Sequence, residues 1–312
     1  MLSEDKIIGI FCLVDDLLKA VAHQEDGRRK VSDSEVITTA IVSALYFGGH
    51  MNHSRHMMRM TGMIPQMLDK SRFCRRLHQL EELLCSLFFQ VGQQLKTIAG
   101  ASDYVIDSFP VAVYNNIRIS RCRLLQGKQW RGKQCSMRRY FYDVKVQVLT
   151  TSSGIPVEFC FVPVSESDVQ ALKKLPMTVA PESKIYGDSA YTDYIIEEDA
   201  READLIELMN QRKSNSKRPD EPWIRFLKLQ MRKGIETTFS MLKGLFLRKI
   251  HAVTFKGFLL KILNGVWFAG SGSFKDTGVY TIIPSPCRAM EHRNKVAILF
   301  LSLMTVQGVP IR

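Results

Sequence analysis

Apolar residues recur at helical spacing through the first hundred positions and at alternating spacing after them, and this change of period divides the chain. Ser32 and Glu35 form a capping-box pair ahead of an apolar-periodic run that reaches Gly48. Asp69 stands as a cap before a second run, and the pattern predicts one long helix over 71–99. Gly100 and its small neighbours mark a boundary. Beyond it, 103–107 reads as a short strand and 140–149 as a longer alternating one. The turn residues of 150–154 lead into 155–162, the other arm of a hairpin. Residues 165–175 predict a helix, 184–187 a strand, 191–202 a helix and 204–208 a last strand. A long helix begins near Trp223, and 255–268 reads as a final one.

The order after residue 100 is therefore three strands, helix, strand, helix, strand, helix. Such an order describes a mixed α/β sheet of ribonuclease H type with flanking helices and an insertion between its first two strands. An all-helical N-terminal region precedes it. Three regions are expected: a helical one over 1–100 with a DNA-binding role, a catalytic one over 101–268, and an atypical tail over 269–312. In the tail, Pro284 and Pro286 break any periodicity and an isolated apolar run closes the chain.

Composition is that of a globular protein, with 46% hydrophobic and 24% charged residues among 312. The net charge of +12 is not ordinary and points to a polyanionic partner, of which nucleic acid is the commonest. The first residues carry Glu4 and Asp5 where a secretory signal needs positive charge, and no apolar run is long enough to span a bilayer. A cytoplasmic, nucleoid-associated protein without a membrane partner is expected. Seven cysteines without a Cys-x-x-Cys pair read as free thiols.

The basic excess concentrates in the insertion, from Arg118 to Lys145, where Asp143 is the single acid and Trp130, Tyr140 and Tyr142 are interleaved. That texture suits a surface that follows phosphates and offers rings for stacking, with a solvated charged loop as the alternative. Arg118, Arg121, Arg138 and Arg139 are its candidate phosphate contacts. Residues 63–80 fit either a helix-turn-helix reader of DNA ends or a simple helical packing module. His50, His53 and His56 invite a zinc reading, but no fourth ligand follows at a familiar spacing.

The candidate chemistry lies in three separated segments. Asp107 ends the first predicted strand of the sheet and Asp188 the fourth, and these strands should lie parallel at the sheet centre. Carboxylates at the carboxyl ends of adjacent parallel strands converge where open α/β sheets bind ligands, and a pair of them suits Mg²⁺. On the last long helix, Arg232, Glu236 and Lys243 fall within an arc of about 40° at 100° per residue. Ile235, Phe239, Leu242 and Phe246 form an adjoining apolar stripe. An Arg–Glu pair four apart is also an ordinary helix salt bridge. Asp168 is an accessory polar candidate whose simpler role is to start a helix.

Residues 105–110, 185–191 and 232–243 resemble the catalytic blocks of DDE transposases of bacterial insertion sequences, and within them the insertion-sequence 982 family. Arg232, Glu236 and Lys243 match the Tyr-Arg-Glu-Lys signature of that superfamily, and Leu229 stands at the tyrosine position. The resemblance covers residues 1 to about 268. It implies a ribonuclease H-like fold and two Mg²⁺ or Mn²⁺ ions on Asp107, Asp188 and Glu236. It also implies DNA as partner, both terminal inverted repeats and target, bound by a homodimer. Arg232 and Lys243 would contact DNA. The implied reaction is cleavage at the element's ends followed by strand transfer; alternatives are a nuclease of the same fold, or an inactive DNA-binding relic.

Overall fold

A computed structural model describes residues 2–115, 125, 127–134, 139–245, 252 and 254–273. The described chain forms two compact units, the first ending at Glu81 and the second spanning Glu82–Ser273. The predicted tail beyond 273 lies outside the described residues.

The first unit holds four helices: α1 (Glu4–Ala20), α2 (Asp33–Tyr46), α3 (Met51–Met60) and α4 (Lys70–Gln79). The capping box forms as the sequence predicts: Ser32 Oγ accepts from the Glu35 N–H at 3.1 Å and Glu35 Oε2 from the Ser32 N–H at 2.7 Å. Almost every side chain of α2 from Asp33 to Ala44 is buried, so α2 is the unit's core helix. Asp69 caps α4 by accepting from the Arg72 N–H. The single helix predicted over 71–99 is instead two, because the chain breaks at Leu80, whose buried side chain takes the C-cap position of α4.

The second unit opens with α5 (Glu81–Ala99) and continues β1 (Asp103–Asn115), β2 (Arg131–Gln134), β3 (Arg139–Thr151), β4 (Pro156–Pro163) and α6 (Asp168–Leu172). Then follow β5 (Lys184–Gly187), α7 (Tyr194–Ala203), β6 (Glu207–Asn210), α8 (Pro222–Leu245) and α9 (Phe255–Ser273). The six strands make one mixed sheet in the order β2-β3-β1-β5-β6, with β4 also paired to β3. β1, β3 and β4 are antiparallel neighbours, whereas β1, β5 and β6 run parallel. The predicted sequence of three strands, helix, strand, helix, strand, helix is present, and the insertion adds β2.

Alternation along β1 assigns the two faces. Tyr104 and Ile106 join Leu149, Leu172, Ile185, Tyr191 and Leu208 in a buried core beneath α6 and α7. Val105, Asp107 and Phe109 point to the other face, where α8 crosses β1 and β5 and buries Ile235. The long arm of α5 belongs with this sheet rather than with the N-terminal helices. Phe88 meets Phe159 edge-on at 4.9 Å, Gly92 lies directly against the Val157 carbonyl, and Lys96 pairs with Glu158 at 2.5 Å, wholly buried. Among the described residues no helix is long and apolar enough to cross a membrane.

Candidate active site

The site begins with the parallel pairing of β1 and β5. Asp103 pairs with Lys184, Tyr104 with Ile185 and Val105 with Tyr186. The same register, carried two residues on, sets Asp188 beside Asp107. Asp107 does not end its strand as predicted: β1 continues to Asn115 because β3 pairs along its other edge. Only β5 stops, at Gly187, and the chain turns into a short 3-10 segment over Ser189–Tyr191. Gly187 permits this exit. A Cβ there would overlap Asn210 Oδ1 and stand 3.2 Å from Ile106 Cγ2 and 3.3 Å from Tyr191 Cδ2.

Helix α8 is anchored by Lys228, buried to 3% exposure, whose Nζ donates to the Asn210 carbonyl at 2.9 Å and to Asp220 Oδ1 at 2.6 Å. One turn further, Arg232 reaches between the two aspartates: its Nη2 lies 3.9 Å from Asp107 Oδ2 and 3.7 Å from Asp188 Oδ2. Its Nη1 donates to Gln211 Oε1 at 3.0 Å. Among the described residues its ion-pair partners are these aspartates rather than Glu236, so the helix salt-bridge alternative is not what forms.

Burial is the largest influence on the Asp107 carboxyl and raises it above the ordinary range. The Ser108 N–H, which donates to Asp107 Oδ1 at 2.7 Å, and the Arg232 guanidinium oppose that rise. The negative charges of Asp188 and Asp168 add to it. Burial likewise drives the Tyr191 hydroxyl far above its ordinary value, reinforced by Asp168, Asp107 and Asp188.

Asp107, Asp188 and Arg232 are thus brought together. Glu236 lies one turn beyond Arg232 on α8 and is exposed. Lys243 falls within α8, and its side chain lies outside the described residues, as do Arg118, Arg121 and Arg138. Arg139 opens β3, its side chain likewise outside. Lys145, grouped by composition with the phosphate-following cations, turns inward and pairs with Asp168 at 3.2 Å. Ser108, Tyr191 and Gln211 are neighbours that sequence reasoning did not single out; Ser108 and Tyr191 sit inside the recognised segments, whereas nothing local marks Gln211.

A divalent cation fits the donors present. Two carboxylates lie where the parallel pairing of β1 and β5 ends, both within reach of Arg232, so two hard oxygen donors are brought together. Arg232 approaches both at ion-pair distance, longer than a hydrogen bond. Among the described residues, the group whose ligand atoms all lie within 4.8 Å of one another is a different one: His23, Glu25 and Asp33 in the first unit. There the Asp33 carboxylate already accepts from His23, Arg29 and Arg76, and Glu25 accepts the Asp33 N–H. Three cationic or donor side chains satisfy that buried carboxylate, and the group reads as structural. His50 precedes α3 and stacks obliquely on His53, with ring centroids 5.3 Å apart.

Two carboxylates where the parallel pairing of β1 and β5 ends, flanked by an arginine, are an arrangement that phosphoryl-transfer chemistry can use. Residues 98–252 match the family described as a transposase DDE domain. The matched segment, just under half of the chain, contains β1, β5 and α8 and so the whole constellation. It supports a DDE transposase, a nucleotidyl-transfer enzyme with DNA as its partner. No curated protein and no solved structure gives a significant match to the chain.

Proposed function

We propose that this protein is the transposase of a bacterial insertion sequence of the 982 type, with a ribonuclease H-like catalytic domain. It cleaves DNA at the terminal inverted repeats and joins the freed ends to target DNA. The observation that carries the reading is that one guanidinium nitrogen of Arg232, on α8, lies within ion-pair distance of both Asp107 and Asp188.

In this reading Asp107, Asp188 and Glu236 hold two Mg²⁺ or Mn²⁺ ions. When bound, these ions activate the attacking oxygen and stabilise the leaving one. Asp107 and Asp188 provide oxygen ligands from a rigid strand pair, and Glu236 completes the set from the exposed side of α8. Arg232 neutralises the scissile phosphate, which arrives among carboxylates that would otherwise repel it. Lys243, Arg118, Arg121, Arg138 and Arg139 contact the DNA backbone. Within residues 1–100, α1 to α4 supply the helices that read the element's ends while α5 braces the catalytic sheet; 101–268 catalyse, and 269–312 form a tail. The enzyme acts as a homodimer on DNA, in the cytoplasm, associated with the nucleoid.

The test is incubation of the full chain with linear duplex DNA carrying the segments that flank its own gene. Cleavage should require Mg²⁺ or Mn²⁺ and stop with a chelator, and joined products should appear with target DNA. Asp107→Asn, Asp188→Asn and Glu236→Gln should each abolish cleavage while DNA binding persists, because positive charge supplies most of that affinity. Near-normal cleavage by one variant removes that residue from the site. Cleavage without joined products makes the protein a nuclease.

A further inference from the structure

On the face of the sheet opposite Asp107, a chain of polar groups runs beside the buried Gln147, which pairs with Ser108 across the strands. Ser108 Oγ donates to Asp168 Oδ1 at 2.9 Å, and Lys145 Nζ donates to the same oxygen at 3.2 Å. Lys145 also donates to the Glu166 carbonyl at 2.6 Å, which fixes it against the turn that leads into α6. The hydrophobic core on this face includes Ile106, Leu149 and Leu172, all at most 1% exposed. Side chains of Lys145 and Asp168 are only 13% and 24% exposed. Burying such groups costs free energy unless each finds a partner, and here each does.

Ser108 connects the two faces. Its side chain is held by Asp168 beneath the sheet, while its own backbone N–H donates to Asp107 Oδ1 above it at 2.7 Å. Tyr191 closes the arrangement: it is 1% exposed, packs beside Gly187, and its hydroxyl stands next to the Ser108 side chain. The peptide that aims the Asp107 carboxylate is therefore restrained from the far side, at the place where β5 has ended and, among the described residues, no strand pairs with that edge of β1.

We propose that Lys145, Asp168 and Ser108 form a positioning chain that orients the Asp107 carboxylate through the sheet. None of the three touches the reacting phosphate. The inference rests on the reading of Asp107 as a catalytic ligand. Outer partners that orient a ligating carboxylate typically account for about 10- to 100-fold in metal affinity or activity.

The test uses the full chain, the same flanking-DNA substrate, and Ser108→Ala, Ser108→Thr, Asp168→Asn and Asp107→Asn side by side. Ser108→Ala and Asp168→Asn should lower kcat for end cleavage by about 10- to 100-fold and raise the Mg²⁺ concentration for half-maximal rate. KM for DNA should stay within about twofold, because the chain contributes nothing to phosphate affinity. Ser108→Thr keeps the hydroxyl and should regain most of the lost rate. The inference is overturned if Ser108→Ala cleaves like the parent, or if Ser108→Thr is as defective as Ser108→Ala. It is equally overturned if the kcat losses merely follow losses in Tm, which would make the chain a simple brace. Should Asp107→Asn itself cleave normally, the reading of the site fails instead, and the two failures are told apart.

Discussion

Arg232 Nη2 stands 3.9 Å from Asp107 Oδ2, joining the middle of α8 to the strand it crosses. Arg232→Ala should lower cleavage by on the order of 100-fold, as loss of a preorganised cation does. The pH profile should shift as well. Burial raises the Asp107 carboxyl and Arg232 opposes the rise, so removing the arginine raises it further. The ionised carboxylate is the form that binds a cation, so the acid limb of the rate profile should move to higher pH. Rates of end cleavage from pH 5 to 9 check this, and an unmoved acid limb would show that Arg232 does not govern Asp107.

Gly187→Ala tests the exit from β5. The new methyl would overlap Asn210 Oδ1, whose amide also donates to the Tyr191 carbonyl at 3.1 Å and to Glu197 at 3.2 Å. Overpacking of this kind costs about 1–3 kcal/mol. Urea unfolding should show that loss, and cleavage should fall with it because Asp188 follows directly.

Lys96→Met tests the attachment of α5. Glu158 is fully buried, accepts from Lys96, and also receives the Met177 and Thr178 N–H groups at 2.8 and 2.9 Å. Removing the lysine leaves a buried carboxylate without its counter-ion, which should destabilise the second unit by about 3–5 kcal/mol. Lys96→Met with Glu158→Gln should recover most of it, as measured by Tm. Recovery no greater than additivity would mean the pair is not coupled.

Asp143 gives the fold a pH dependence. It is 4% exposed, its Oδ1 lacks a partner among the described residues, and burial lifts its carboxyl from 3.8 to about 7. The Val113 N–H opposes that rise. The folded state therefore binds the proton more tightly than the unfolded chain, and stability from this group is lost as pH rises from about 4 to about 7. At about 1.4 kcal/mol per unit the loss is at most on the order of 4 kcal/mol. Asp143→Asn should accordingly gain stability relative to the parent at pH 8 and gain less than half as much at pH 5, read by urea unfolding at both.

Local chemistry was readable from the chain wherever a few adjacent residues decide it. Ser32 with Glu35 and Asp69 stop and start helices through bonds to nearby N–H groups, and both caps form as expected. The alternation of 140–149 and 155–162 marks a hairpin, and β3 pairs with β4 there, although Val146 and Val148 on one face and Gln147 and Leu149 on the other are all buried. The break at Leu80 was not readable, because the apolar period runs through it unbroken. A period records which side chains are buried, and it says nothing of which core they enter.

By itself the sequence determined most of the order of elements, the cationic character that calls for a polyanion, and Asp107 and Asp188 as candidate carboxylates in two predicted strands. Tertiary structure alone decided how long β1 continues, since its far end pairs with β3 residues 26 and more positions away. It also decided the company of each charge. Lys145 reads as one more cation in a basic stretch, and only the packing of α6 against the sheet supplies Asp168 and turns it inward. Arg232 has a carboxylate four residues along its own helix, yet it faces two aspartates from strands. An ion pair goes to the partner that burial makes hardest to leave unpaired, and burial is a property of the assembled fold.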